Sequence, residues 1–322
     1  MTWRENAIEK TRVYLENMVG LGYAANAAGE NIPPRLIVDS TIDKIVEIAE
    51  ETFPLARVMD ESDIVLHAEG PGASHRLPSL GALNWLSLTV EKAIRHLSRA
   101  MFDLAGADGA RLARVVDARL SGLAPGSIWM GVKIAAPPPD LLPEDGALVA
   151  ELSSQISTLP SVVRFIGDEE IIPGIEEFSP DPAMRDVQLS TLLSFAPTGK
   201  KGIHTLELAS KDAGSASLSQ RERVVLRDAI SKPVPRDLRR GKFTGFAREV
   251  DLDKTRIHLR NVPDVGTLRC IVPQLGTSHA RQLLGGLVQV TGQYATDRAG
   301  RPRLIFVESI EPIHASQTEL GI

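Results

Sequence analysis

"GKFTGFAREVDLDKTRIHLRNVPDVGTLRCIVP" occupies residues 241–273. Apolar and polar side chains alternate along it, the two-residue period of strands with one face in a core and one face out. Ile257 and Leu259 fall on one side, and Arg256, His258 and Arg260 on the other. Leu268, Cys270 and Val272 share a face, with Arg269 opposite. The stretch reads as three strands, at 242–250, 255–261 and 266–273, with an apolar lining and a basic exterior.

Two more alternating runs follow, at 286–295 and 302–311. Between them and the first three lies "TSHARQLLG" (277–285), a short helix candidate with Thr277 or Ser278 as cap and Gly285 as stop. "TDRAGRPR" (296–303) is the turn between the last two strands, with Gly300 supplying backbone freedom. Three strands, a helix and two strands resemble the OB-fold, a small five-stranded barrel. The likeness covers roughly the last quarter of the chain, and the same closing region is similar to that of many bacterial proteins of unassigned function. It implies a fold and brings no activity with it.

Charge is segregated along the chain. Formal net charge is −5 overall. Residues 234–313 hold 13 Lys and Arg against 8 Asp and Glu, a net of +5, which leaves −10 for the rest. A cationic barrel can take single-stranded nucleic acid, through phosphate contacts and through bases stacked on aromatic rings. The residues for that task would be Arg256, His258, Arg260, Arg269, Arg301 and Arg303. Stacking residues are scarce, only Phe243, Phe246, Tyr294 and Phe306, and several of them must close the core. The pattern therefore favours docking of the barrel onto the chain's own acidic portion or onto a partner protein.

Upstream, residues 3–19 read as an amphipathic helix, followed by a turn at Gly20 and Gly22 and a polar link "GENIPP". "RLIVDS" (35–40) reads as a strand and "TIDKIVEIAEETF" as a helix capped by Thr41. "SDIVLHAEG" (62–70) is strand-like. Leu83, Leu86, Val90, Ala93, Leu97, Met101 and Leu104 recur every three or four residues, predicting a long helix from a Ser79 cap to Gly106. Arg95, His96 and Arg99 lie off its stripe, toward solvent. A hairpin follows around Ala-Pro-Gly-Ser at 124–127, then helices at 146–159 and 181–195. A strand at 202–210, a Gly/Ser link at 211–217 and a helix capped by Ser217 or Ser219 lead to "SKPVP", where Pro233 and Pro235 stop the helix. The expected architecture is α+β: an N-terminal mixed α/β portion (1–139), a helical and strand-bearing middle segment (140–235), the OB-like five-stranded barrel (236–313) and a tail (314–322).

Candidate chemistry is sparse. "HAEGPGASHR" places His67, Gly70, Gly72, His75 and Arg76 between a strand and the long helix, where a glycine-rich loop can cradle an anion or small ligand. Pro71 and Pro78 remove amide donors from it. "GLGYAA" (20–25) lacks the strand that a dinucleotide fingerprint must follow, and "FAPTGKKGIHT" lacks the Ser or Thr of a phosphate loop. Seven histidines are dispersed without metal-ligand spacing, so no metal or cofactor is expected. "DESD" (60–63) and "DLD" (251–253) read as turns. Cys270 is a lone cysteine on an inward face, a small hydrophobe rather than a nucleophile.

Composition is that of a globular chain, 43% hydrophobic and 24% charged over 322 residues. Scattered charges in the first twenty residues and the absence of a long apolar run argue for a cytoplasmic protein. The abundance of arginine, alanine and leucine suggests a bacterial source. The leading expectation is a binding or assembly protein acting through protein–protein contacts or self-association. The alternatives are a single-strand nucleic-acid binder and an enzyme with its site at the 67–76 loop.

Overall fold

The computed structural model describes residues 2–29, 33–74, 77–125, 127–231 and 238–313. His75, Arg76, Pro233, Pro235 and the 314–322 tail lie outside them. The chain opens with helix α1 (Trp3–Ala28), whose first turn is closed by a capping box. The Thr2 hydroxyl accepts from the Glu5 amide at 3.1 Å, and the Glu5 carboxylate accepts from the Thr2 amide at 2.8 Å. The helix runs straight through Gly20 and Gly22, where a turn was expected, and stops at Gly29 with φ 68°. A mid-helix glycine costs only about 1 kcal/mol against alanine, whereas the left-handed stop at Gly29 suits glycine specifically.

Residues 35–40 are helical, a correction to the strand reading. Pro34 starts α2 (Pro34–Glu47), its fixed φ and missing donor fitting a first turn. Leu36 and Val38 of that run are exposed. A single π-helical turn (Ile48–Thr52) joins α2 to α3 (Phe53–Glu61). Asp60 of α3 accepts the backbone amides of Trp3 and Arg4 at 3.1 and 2.9 Å, so the hairpin is closed at its base and its helices run antiparallel. That carboxylate was read as part of a turn.

Strand β1 (Ile64–Glu69) leads through a short loop to α4 (Leu80–Leu104), capped by Ser79, whose hydroxyl accepts from the Ala82 amide. Helix α5 (Gly109–Val115) precedes the hairpin β2 (Ala118–Ala124) and β3 (Ile128–Ile134). Helices α6 (Pro143–Ser157), α7 (Leu159–Val163), α8 (Ile175–Phe178) and α9 (Pro182–Phe195) follow. Then come β4 (Thr205–Ser210), β5 (Gly214–Leu218) and α10 (Gln220–Ser231). The expected Gly/Ser link at 211–217 instead gives way to strand from Gly214, hidden because glycine, serine and alanine carry little strand preference. Their ladder with β4 decides the matter. Of the two serines offered as cap for α10, Ser219 does the work: its hydroxyl accepts from Arg221 and its amide donates to Glu222.

All five strands form one antiparallel sheet in the order β2-β3-β1-β4-β5. Strands from the N-terminal and middle segments thus share a sheet, and their core is continuous. Ile64, Leu66 and Ala68 of β1 pack beneath Leu86, Val90, Leu97 and Met101 of α4 and Val187 and Leu192 of α9. Each such side chain contributes about 1.5–3 kcal/mol on burial. On the opposite sheet face α3 seats Val58 against Val65, Ala124 and Ala209.

The last part is a closed barrel of β6 (Arg239–Asp251), β7 (Arg256–Val262), β8 (Gly266–Ile271), β9 (Leu287–Thr296) and β10 (Pro302–Pro312). Helix α11 (Thr277–Leu283) sits between β8 and β9. Neighbours are antiparallel except β10 and β8, which pair in parallel and close the cylinder. This order and helix position are those of an OB-like barrel, and the fold class is α+β. Ile257, Leu259, Leu268, Cys270 and Val272 line the interior, as the alternation requires. Among the described residues no helix is long and apolar enough to cross a membrane.

Candidate functional site

The barrel's basic side chains do leave the lining, but three of them never reach solvent. Arg256, His258 and Arg269 are 2%, 2% and 1% exposed. They lie under helices α4 and α9, and this corrects their expected place on an outer surface. Strands β7 and β8 carry them, the second and third strands of the barrel, where OB-folds commonly take oligonucleotides. Here that face is occupied by the chain's own helices.

Asp186 of α9 is the centre of the seam. Arg256 holds it with two bonds, Nε to Oδ2 at 3.0 Å and a terminal nitrogen to Oδ1 at 2.7 Å, and Arg269 Nε donates to Oδ2 at 2.6 Å. Both guanidiniums drive the Asp186 carboxyl far below its usual range despite the opposing effect of burial. Arg256 also donates to the Ile230 carbonyl at 2.7 Å, tying in α10. Farther along, Arg260 pairs with Asp103 near the end of α4 and donates to the Ala107 carbonyl at 2.6 Å. Arg99 meets Glu249 of β6 at 2.7 Å. Arg303 reaches Asp181, the N-cap of α9, at 2.9 Å. Arg301 bonds only the adjacent Asp297, in the exposed turn.

Lys254 and His96 complete the seam. Lys254 Nζ donates to the Ser190 carbonyl at 3.1 Å, and burial lowers its pKa to about 7. Burial outweighs the pull of Asp251, and Arg269 and Arg256 nearby push in the same direction as burial. His96, expected in solvent, lies against Ser190 Oγ at 2.9 Å, and burial holds it well below the ordinary imidazole value.

One cluster in the seam has the spacing of a metal site. Ligand atoms of Asp103, Glu249 and His258 lie within 4.8 Å of one another. His258 Nδ1 stands 3.2 Å from Glu249 and 3.4 Å from Asp103. The hydrogen bond on the other ring nitrogen argues against a metal. Arg269 donates to His258 Nε2 at 2.7 Å, so the single proton of the neutral ring sits on Nδ1 and points between the two carboxylates. A metal ligand would need that nitrogen bare. Burial, with Arg269 alongside, lowers the His258 pKa and keeps the ring neutral. The three residues fit a charge seam better than a coordination sphere. Beside them an open cleft of about 350 Å³ is lined by Arg99, Arg248 and Arg260 and by Asp103, Asp108 and Glu249, with both signs in balance.

The described part of the candidate loop is packed by backbone at Gly70 and Gly72. A Cβ built on Gly70 would stand 2.4 Å from the Gly202 carbonyl oxygen, and one on Gly72 would stand 2.0 Å from that of Lys201. These glycines are needed because two chain segments cross without room for side chains, and the space above them is taken by the 200–202 turn. His67 points to the other sheet face, stacked on Trp129 at 3.8 Å between ring centres and held by Glu207 at 3.2 Å. His75 and Arg76 lie outside the described residues. Cys270 is buried in the barrel, and desolvation pushes its thiol pKa up, away from nucleophilic use.

The third region is the α1–α2 hairpin. Among the described residues of α1 only Ala7 is buried. Trp3, Ile8, Leu15, Val19 and Tyr23 on α1, and Val38, Ile42 and Val46 on α2, are all exposed. Scattered exposed apolar residues are ordinary, but this density along one projecting element is not. No protein-family model and no curated protein matches the chain.

Sequence reading missed Asp103 and Asp186. A weak signal existed for the first, since "AMFDLAG" sets a carboxylate inside the apolar end of a helix. For Asp186 the polar Gln188, Ser190 and Thr191 on an otherwise apolar helix hinted at a second buried face, which the structure provides.

Proposed function

We propose that the protein is a binding or assembly component that acts through protein–protein contact, with the α1–α2 hairpin as its contact surface. One observation carries this reading: the hairpin is anchored at its base by Asp60, yet leaves a density of apolar side chains in solvent that a solitary soluble protein does not keep. The basic side chains that suggested a nucleic-acid surface are largely spent inside the molecule on Asp103, Asp181 and Asp186. The loop that suggested an enzyme is filled by backbone. The hairpin remains available to a partner.

The test is a photo-reactive amino acid placed at Leu15 and, as control, at Glu144 on α6, in the full chain expressed in its source cells. Irradiation is expected to give a covalent protein adduct from position 15 and none from 144. Absence of any adduct at 15 overturns the reading.

A further inference from the structure

Resting on that reading, we infer that the occupant of the hairpin is a second copy of this chain, the two hairpins closing into an antiparallel four-helix bundle. On α1 the sheltered line is Ala7, Thr11, Met18 and Ala25, and on α2 it is Thr41 and Ile45, continued by Ile48 at the start of the π turn. At 3.6 residues per turn, Ile8, Leu15 and Val19 lie about a quarter-turn farther round α1. Val38, Ile42 and Val46 lie about a quarter-turn farther round α2 by the same count. The two helices are antiparallel, so equal rotations from their shared seam bring both stripes to the same side. Six apolar side chains therefore share one face, with exposures between 37% and 51%.

Size then fits a stable interface. The 26-residue α1 is about 39 Å long, α2 with the π turn and α3 forms a second arm of similar length beside it, and two helices side by side are roughly 20 Å wide. That face is about 800 Å², the amount each partner buries in a stable interface of standard size. The charges bordering it are of both signs on both helices, Arg12 with Glu16 on α1 and Arg35 with Asp39 on α2. A border of one sign would repel its own copy, whereas a mixed border pairs with itself across a two-fold axis. Four amphipathic helices with apolar faces turned inward make a bundle core of ordinary form.

The measurement is the mass of the full chain in solution by light scattering at tens of micromolar, against a chain mass of 34.8 kDa. A doubled mass is expected. The Leu15→Glu/Ile42→Glu double variant, changed only at exposed positions, is expected to keep its circular dichroism and run as a monomer. Its dissociation constant should rise by at least about a hundredfold. Val13→Ser, exposed and about two-fifths of a turn away on the far side of α1, should remain a dimer. A monomeric parent chain, a double variant that still dimerises, or a Val13→Ser that dissociates alone would each overturn the inference. A monomer whose Leu15 photo-adduct contains a different protein overturns this inference and supports the contact reading, while a monomer with no adduct overturns both.

Discussion

The barrel seam and the N-terminal hairpin invert the usual signs of inside and outside. The barrel face is among the most strongly charged in the chain and is buried, with Arg256, His258 and Arg269 at most 2% exposed. The hairpin carries apolar side chains and leaves them bare. Buried arginine is tolerated because Asp186 holds both guanidiniums, with the Ile230 carbonyl on Arg256 and the His258 ring on Arg269, which offsets part of the cost of leaving water. Exposed leucine and valine carry no such compensation and keep their affinity for another apolar surface. One region has spent its binding capacity on its own fold, and the other has not.

The sharpest way to break this contrast is at Asp186. Asp186→Ala strands two arginines in the interior, and unfolding by denaturant should show a loss of about 3–5 kcal/mol. A loss under about 1 kcal/mol would mean that the barrel is held to the helices by something other than the charges. Tyr23→Ser marks the other extreme. Tyr23 is 75% exposed at the far end of the hairpin, and its replacement should leave unfolding within about 0.5 kcal/mol of the parent, measured the same way.

Between these lies the effect of pH. His96 and His258 are held below the ordinary 6.5, so acidification through that range protonates the unfolded chain first and removes stability. Glu249 is held below the ordinary carboxylate value by His258 and Arg99, and its contribution is also lost as pH falls through its folded pKa. Lys254, near 7 when folded and 10.5 when free, adds stability as pH rises from about 7 toward 10.5. All four groups act in one direction. Thermal midpoints should climb from pH 5.5 through 7 to 9, and Lys254→Met should flatten the upper half of that climb. A midpoint that falls above pH 7 in the parent chain would contradict the neutral Lys254.

The barrel was legible because side-chain alternation is a local property: a residue's neighbours two positions away report which face it takes. The destination of its outward face was not local. Whether Arg256 points at water or at Asp186 depends on residues 70 positions apart, and charge counting could only show that the two halves of the chain were opposite in sign. The long helix α4 was equally plain, down to its Ser79 cap. Residues 35–40 misled because isoleucine and valine suit strands by shape, while Pro34 starts a helix there. The 214–218 strand was invisible because its serines and glycine owe their conformation to β4 alone. For the hairpin, periodicity gave the helices but could not say that a second apolar stripe would be left without cover.

Strand β1 has a consequence for synthesis. It lies in the middle of the sheet, yet its partner on one edge, β4, is encoded about 140 residues later, the separation between paired His67 and Glu207. At ordinary translation rates that interval lasts on the order of ten seconds. Throughout it the nascent chain holds Ile64–Glu69 with one row of amides and carbonyls unmatched, a template for mispairing between neighbouring ribosomes. An insertion anywhere between β3 and β4 prolongs that exposure even where the finished fold would accommodate it.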